Sequence, residues 1–233
     1  MSTTATHIVV GAGLAGASAA IAMREAGFAG RILVVGDEPH PPYDRPPLSK
    51  EALTAAAPTP PYLHPETRYR DLDIELMLGR RAEGIDVAAQ RLHLAGGAAL
   101  AWDRLLLATG GRARRLAIQG GERALILRGL DDARALRDRL AAARRVAVVG
   151  AGVIGLEVAS SARARGCEVV VLEALEGAMR RVLPPDLAGF VEDLHRDHGV
   201  RLHFGAVISA IAPEGAGSRV VCADGEVAAD LVF

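Results

Sequence analysis

Lysine is nearly missing from this chain. Of 27 basic residues one is lysine, Lys50, and the rest are arginine. Aromatic residues make up only 3% of a sequence that is 50% hydrophobic, a balance that suits Val/Leu/Ile/Ala-rich parallel sheets covered by helices. The two cysteines, Cys167 and Cys222, are isolated. They give neither a disulfide framework nor a CxxC metal site, and they lead us to expect a cytoplasmic protein. The net charge of −1 offers no basic surface for nucleic acid. No uncharged apolar run is long enough to span a bilayer. The apolar stretch from Ile8 to Met23 lacks the basic start of a signal peptide and contains a cluster of three glycines, Gly11, Gly13 and Gly16, so it reads as a strand followed by a helix.

Those glycines form one of two matching fingerprints. The first is Gly11-Ala12-Gly13-Leu14-Ala15-Gly16 after His7-Ile8-Val9-Val10, and the second is Gly150-Ala151-Gly152-Val153-Ile154-Gly155 after Val146-Ala147-Val148-Val149. In such a turn the first glycine permits the tight bend and the second lets a pyrophosphate approach the backbone. The third lets the helix pack close to the strand. One match is weak evidence. Two in strand–turn–helix context point to two dinucleotides, one flavin and one nicotinamide.

The two halves repeat one another. The first reads as strand Ile8–Val10, helix Leu14–Ala26, strand Ile32–Val35, strand Ile74–Gly79, β segments at Arg91–Leu94 and Ala99–Trp102, and a returning strand Leu105–Gly110. The second reads as strand Val146–Val149, helix Val153–Ala164, strand Glu168–Leu172, strand Val200–Gly205, a β segment near Arg219–Cys222, and Asp230–Phe233. A helix over Asp131–Ala143 joins them. The fold class expected is α/β, with two tandem Rossmann-like dinucleotide-binding units, parallel sheets and β-meander crossovers. At 233 residues there is room for two cores. By comparison with Asp103–Gly110 the final strand reads as cut short.

Three side chains carry chemistry. Prolines stiffen the loop Pro42-Tyr43-Asp44-Arg45-Pro46-Pro47-Leu48-Ser49-Lys50. Lys50 reads either as an exposed loop lysine or as a compact charge beside a flavin and a carboxylate. Glu157, in the first turn of the helix after the second fingerprint, reads either as a surface residue or as a carboxylate stabilised by the helix N-terminus and paired to position a nicotinamide. Glu173 ends a strand 23 residues after Gly150, the place for an acid that reads a ribose 2′-hydroxyl. It favours NADH over NADPH, whereas Arg180 and Arg181 in the next loop could approach a 2′-phosphate, a pyrophosphate or solvent.

Other patterns are set aside. His195, His198 and His203 with Asp197 lack the ligand set of a zinc site, so no metal is expected. No cysteine lies near Pro46–Lys50, which argues against thiol chemistry. Arg112, Arg114, Arg115 and Arg123 could attract an acidic iron–sulfur protein or be solvated.

The chain resembles the flavoprotein ferredoxin reductases of bacterial oxygenase systems. The resemblance rests on the first fingerprint, Val35-Gly36-Asp37-Glu38, Tyr43–Lys50, Leu107-Ala108-Thr109-Gly110, Leu127–Ala133 and Gly155-Leu156-Glu157. It implies a glutathione-reductase-like FAD/NAD(P) fold, with an FAD-binding domain at residues 1–115 and an NAD-binding domain at 116–233. FAD would use Gly11, Gly13, Ala15, Gly16, Asp37 (or adjacent Glu38), Arg45, Lys50, Thr109, Gly110 and Arg128. NADH would use Gly150, Gly152, Ile154, Gly155 and Glu173. Lys50 and Glu157 would be the catalytic pair at the junction of nicotinamide and flavin. Electrons would pass to a [2Fe–2S] ferredoxin or a rubredoxin. Family members also carry a later flavin-closing segment and a C-terminal interface domain, which this sequence lacks, so weak FAD retention is expected. The alternatives are a non-catalytic nucleotide-binding fragment or NADH sensor, and an NADH oxidase or apoptosis-inducing-factor-like flavoprotein.

Overall fold

The computed structural model describes residues 5–233. Strand β1 (Thr6–Val10) leads through a glycine turn into helix α1 (Leu14–Glu25) and strand β2 (Arg31–Val35). A short 3-10 turn (Pro46–Ser49), α2 (Glu51–Thr54) and α3 (Glu66–Asp71) precede β3 (Ile74–Met77). The antiparallel strands β4 (Ala82–Asp86), β5 (Arg91–Leu94) and β6 (Ala99–Ala101) come before β7 (Arg104–Leu107). The second half begins with α4 (Leu130–Ala142), β8 (Arg145–Val149), α5 (Val153–Ala164) and β9 (Glu168–Glu173). It continues with α6 (Pro185–Asp197), β10 (Val200–Phe204), the antiparallel β11 (Ile208–Glu214), β12 (Gly217–Cys222) and β13 (Gly225–Ala229), and then β14 (Leu231–Val232).

The two halves have the same topology. One parallel sheet runs β3-β2-β1-β7 and the other β10-β9-β8-β14, each with a three-stranded meander inserted before its last strand. β1 pairs with β2 at Ile8↔Leu33 and Val9↔Val34, and β8 pairs with β9 at Ala147↔Val170 and Val148↔Val171. Alternate side chains of the first sheet enter two different cores. Val9, Ile32, Val34 and Ile74 pack with Ala17 and Ala20 of α1 and with Tyr69. Ile8, Val10, Leu33 and Val35 meet Leu92 and Leu94 of the meander. Because both faces are covered, these strands read as unbroken apolar runs. In the second sheet Ala147, Val170 and Leu172 pack on Ile211, Val220, Cys222 and Ala229 of its meander.

Contacts divide the chain into two compact units that do not follow chain order. One comprises the residues through Asp44 together with Pro60–Gly111, and the other comprises Arg45–Thr59 together with Arg112–Phe233. The segment carrying the proline–lysine loop thus groups with the second repeat, on α4 and α5. A linear division after residue 115 would assign it to the first.

Three strands beyond those expected complete the meanders: β4, β11 and β13. Ala82–Asp86 holds a glycine and two acids, poor strand formers, and becomes a strand through antiparallel pairing with β5.

One electrostatic device recurs at the same place in both repeats. The Asp103 carboxylate accepts the Thr6 N–H at 2.6 Å at the start of β1. Asp230 accepts the Arg144 and Arg145 N–H groups at 3.0 and 2.9 Å at the start of β8. The Arg145 backbone bond, followed by its side-chain partners, holds the Asp230 carboxyl below its usual range. A carboxyl with a lowered folded-state pKa contributes stability above its unfolded pKa, and loses it as pH falls through the folded value. Asp230→Ala is therefore expected to cost about 1 kcal/mol at neutral pH, discounted for partial exposure. Urea unfolding of both proteins across the acid range should show the difference shrinking below about pH 4. A difference independent of pH would remove the ionic contribution.

Candidate functional site

Both fingerprints fold into the same turn. Gly11 N–H donates to Val35 O and Gly150 N–H to Leu172 O, each at 2.8 Å. Gly11 and Gly150 take φ values of +116° and +105°, open to glycine and strained for other residues. A Cβ on Gly16 would lie 1.9 Å from Gly11 O, and one on Gly155 would lie 2.1 Å from Gly150 O. Only glycine lets each helix sit this close to its own turn. Gly13 and Gly152 are the helix N-cap residues. Neither helix has a side-chain cap or an acidic residue in its first turn; Glu157, expected there from the sequence, is the fifth residue of α5 and lies beyond it, because the helix starts at Val153. The first-turn N–H groups of α1 and α5 are thus left for an anion. Ala15 is exposed, and Ile154 is half exposed.

In the first unit the acids after β2 differ in engagement. Glu38 accepts the hydroxyl of buried Tyr43. Asp37 is exposed, with Arg81 at 3.8 Å. Gly36 takes the strand-end position that Glu173 holds in the second unit, and its missing side chain leaves room for Ala12. Thr109 and Gly110 follow β7 and are exposed, with Gly110 at φ +66°. The uncapped helix, the tight glycine turn and an open acid form a donor and acceptor set that fits the pyrophosphate and ribose of a dinucleotide.

In the second unit the equivalent turn opens onto a cavity of about 540 Å³, bounded by Gly150, Gly152, Val153, Glu173, Leu175 and Arg180 among others. A Cβ built on Gly152 would meet no atom within 4 Å, so the backbone there faces open space that a phosphate can enter. Glu173 is fixed from both sides. It accepts the Ala151 N–H at 2.7 Å on one oxygen and the Leu175 N–H at 2.9 Å on the other. Each oxygen retains a lone pair for a ribose hydroxyl.

A second cavity in this unit, of about 340 Å³, is lined by Arg45, Lys50, Arg128, Ile154 and Glu157 with their neighbours. The Lys50 ammonium lies 2.8 Å from Glu157 Oε1, and the side chains are 45% and 29% exposed. Such a pair stays accessible to a ligand. Lys50 also donates to Pro46 O at 3.1 Å. The second Glu157 oxygen accepts the Ser49 hydroxyl. The structure therefore brings together Arg45, Lys50, Arg128, Ile154 and Glu157.

Ser49 and Ser161 went unnoticed in the sequence. Ser161 donates to Ser49 O at 2.6 Å, and Arg165 donates to Leu53 O at 2.8 Å, so α5 grips the loop along its length. Ser161 stands one helical turn after Glu157, a spacing that could have flagged it. Another unforeseen feature is Met179, at φ +53°, in the loop that borders the larger cavity.

Cys167 and Cys222 are free and buried, and desolvation pushes both thiols up. A raised thiol makes a poor nucleophile. Among the described residues no helix is long and apolar enough to cross a membrane.

Comparison with known proteins follows the same lines. The family model described as pyridine nucleotide-disulphide oxidoreductase matches residues 5–233. The ferredoxin–NAD(+) reductase component of the biphenyl dioxygenase system of Paraburkholderia xenovorans is 42% identical over 231 residues, covering 98% of this chain. The chain spans 57% of that protein's length. The crystal structure of the ferredoxin reductase for the CYP199A2 system of Rhodopseudomonas palustris superposes with a TM-score of 0.92 at 40% identity, over 97% of this chain and 57% of that one. The reductase in a covalent putidaredoxin reductase–putidaredoxin complex gives a TM-score of 0.92 at 36% identity, over 98% of this chain and 57% of its own.

Proposed function

Because the chain belongs to the pyridine nucleotide-disulphide oxidoreductase family, we propose that it serves an NADH-dependent flavoprotein reductase that passes electrons through FAD to a ferredoxin feeding an oxygenase. One observation carries this reading. Two uncapped glycine turns stand in two repeats, and a Lys50–Glu157 pair borders a cavity beside the second. The resemblance to reductase components of oxygenase systems supports the choice of acceptor. FAD, when bound, supplies the chemistry that converts a two-electron hydride donor into single electrons.

The protein's own part is binding and orientation. On this reading Gly11, Gly13, Ala15, Gly16, Asp37, Thr109 and Gly110 of the first unit hold FAD, residues 1–115 forming most of its domain. Arg45 and Arg128 keep the flavin role the resemblance gives them. Gly150, Gly152, Ile154, Gly155 and Glu173 hold NADH. Lys50 and Glu157, fixed by each other and held by Pro46 O and the Ser49 hydroxyl respectively, orient the nicotinamide ring and exclude water from its reacting face. No proton need move for hydride transfer itself. The acceptor is a [2Fe–2S] ferredoxin, or a rubredoxin, and the buried thiols suit a reducing, cytoplasmic setting.

NADH is expected to bind better than NADPH, because the fixed Glu173 carboxylate repels a 2′-phosphate. Glu173→Ala should shift the balance toward NADPH by roughly 1–3 kcal/mol, the scale of a lost charged contact. Affinities for both nucleotides before and after the change check this. An NADPH preference in the unaltered protein would overturn it.

The functional reading is tested by following NADH oxidation with FAD present and either a [2Fe–2S] ferredoxin or oxygen as acceptor. Faster turnover with ferredoxin supports the reductase. Turnover with oxygen alone would favour an NADH oxidase, and nucleotide binding with no turnover would favour a sensor.

A further inference from the structure

Ser49 is only 4% exposed, although the lysine after it is open to solvent. Its hydroxyl has one proton and two acceptors within reach, Glu157 Oε2 and, at 3.4 Å, Pro46 O. The nearer, charged acceptor takes the proton. Glu157 is therefore held at both oxygens, by the Lys50 ammonium on Oε1 and by Ser49 on Oε2, and cannot turn without breaking a charge-assisted bond. Lys50 in turn directs two of its three N–H groups to Glu157 Oε1 and Pro46 O. Among the described residues the third has no partner, and the ammonium borders the 340 Å³ cavity.

The serine is itself anchored. Ser161 is 5% exposed, stands one helical turn after Glu157 on α5, and donates to Ser49 O at 2.6 Å. Helix α5 thus fixes the loop backbone at Ser49 and presents the carboxylate that its hydroxyl reaches. Other contacts keep the loop in place. Leu48 and Leu53 are buried on either side, and Arg165 donates to Leu53 O. The Ser49 hydroxyl is not needed for that packing. Its loss would leave Glu157 Oε2 on a side chain 29% exposed, where water can replace it.

We infer that Ser49 is a positioning residue for hydride transfer, whose hydroxyl fixes the Glu157 carboxylate and through it the direction of the free Lys50 N–H. This rests on the reading of Lys50 and Glu157 as the pair that orients the nicotinamide. Ser49 touches neither nucleotide. It acts only through the pair, so its effect falls on the orientation of the ring and not on the grip of the rest of the nucleotide.

Two measurements test this, one without flavin. In anaerobic single-turnover reduction with saturating FAD, Ser49→Ala should lower the limiting rate about tenfold and change the NADH dissociation constant by less than about threefold. Ser49→Thr, which keeps a hydroxyl, should retain most of the rate. Because Ser49 works through Lys50, adding Ser49→Ala to Lys50→Met should slow the reaction by less than about a further threefold. In the FAD-free chain, the fluorescence anisotropy of bound NADH should fall in Ser49→Ala as the nicotinamide loosens. The affinity for ADP-ribose, which lacks that ring, should stay the same. Equal weakening of NADH and ADP-ribose, or full multiplication of the two rate effects, would reduce Ser49 to a structural residue and overturn the inference. An unchanged rate in Ser49→Ala with a slowed Lys50→Met overturns it and leaves the reading of the pair intact. Unchanged rates in both variants overturn the two together.

Discussion

Gly152→Val is expected to leave the protein folded and to lower its affinity for NADH by about 100-fold or more, close to 3 kcal/mol. Gly152 has φ −79° and ψ 179°, extended values that a β-branched residue adopts readily. A Cβ there meets nothing within 4 Å, so the substitution builds into open space and not into the core. That open space is where the phosphates would approach the uncapped start of α5. Gly155→Val makes the contrast. Its Cβ would fall 2.1 Å from Gly150 O, and helix and turn would have to separate. The cost should reach roughly 3 kcal/mol or more in stability, at the upper end of overpacking effects. Thermal unfolding and NADH titration of both variants separate the two roles. A Gly152→Val protein with unchanged affinity would remove the second fingerprint from the binding site.

Lys50→Met should slow the reduction of bound flavin by NADH about 10- to 100-fold, the scale of a misplaced reactant. Folding should be nearly unaffected. The methionine keeps the length and apolar stem of lysine and loses only the ammonium. The ion pair it breaks is 45% exposed on the lysine side and contributes little to stability. Glu157 keeps its Ser49 partner in this variant, so the loop stays pinned through Ser49, Ser161 and Arg165. Single-turnover reduction under anaerobic conditions reads the effect. An unchanged rate with normal FAD content would take Lys50 out of the site.

The parts of this molecule that were legible in the sequence are those where local chemistry leaves no choice. Val9, Val34, Val148 and Val171 lie on central parallel strands buried on both faces, so their segments announce themselves as apolar runs. The glycine turns are legible because a positive φ at Gly11 and Gly150 and close packing at Gly16 and Gly155 admit no other residue. Strands such as β4 and β13 were missed because pairing, not composition, makes them. The Lys50 and Glu157 motifs could each be singled out. The resemblance also implied that they pair. The Ser49 hydroxyl bond to Glu157 was not legible, since those residues are 108 apart and only the folded second unit joins them. Asp37 and Glu38 were indistinguishable in sequence until Tyr43 proved to hold Glu38. Met179 gives no warning of its left-handed backbone, because nothing in a methionine favours that conformation.

The central claim is that each repeat holds its own dinucleotide. It is tested most directly by titrating NADH into the protein with no FAD and with saturating FAD. One NADH site per chain is expected in both cases, with FAD failing to displace NADH and with Gly152→Val weakening NADH binding about 100-fold or more while FAD binding persists. Competition between the two nucleotides for a single site, or loss of both in Gly152→Val, would contradict it.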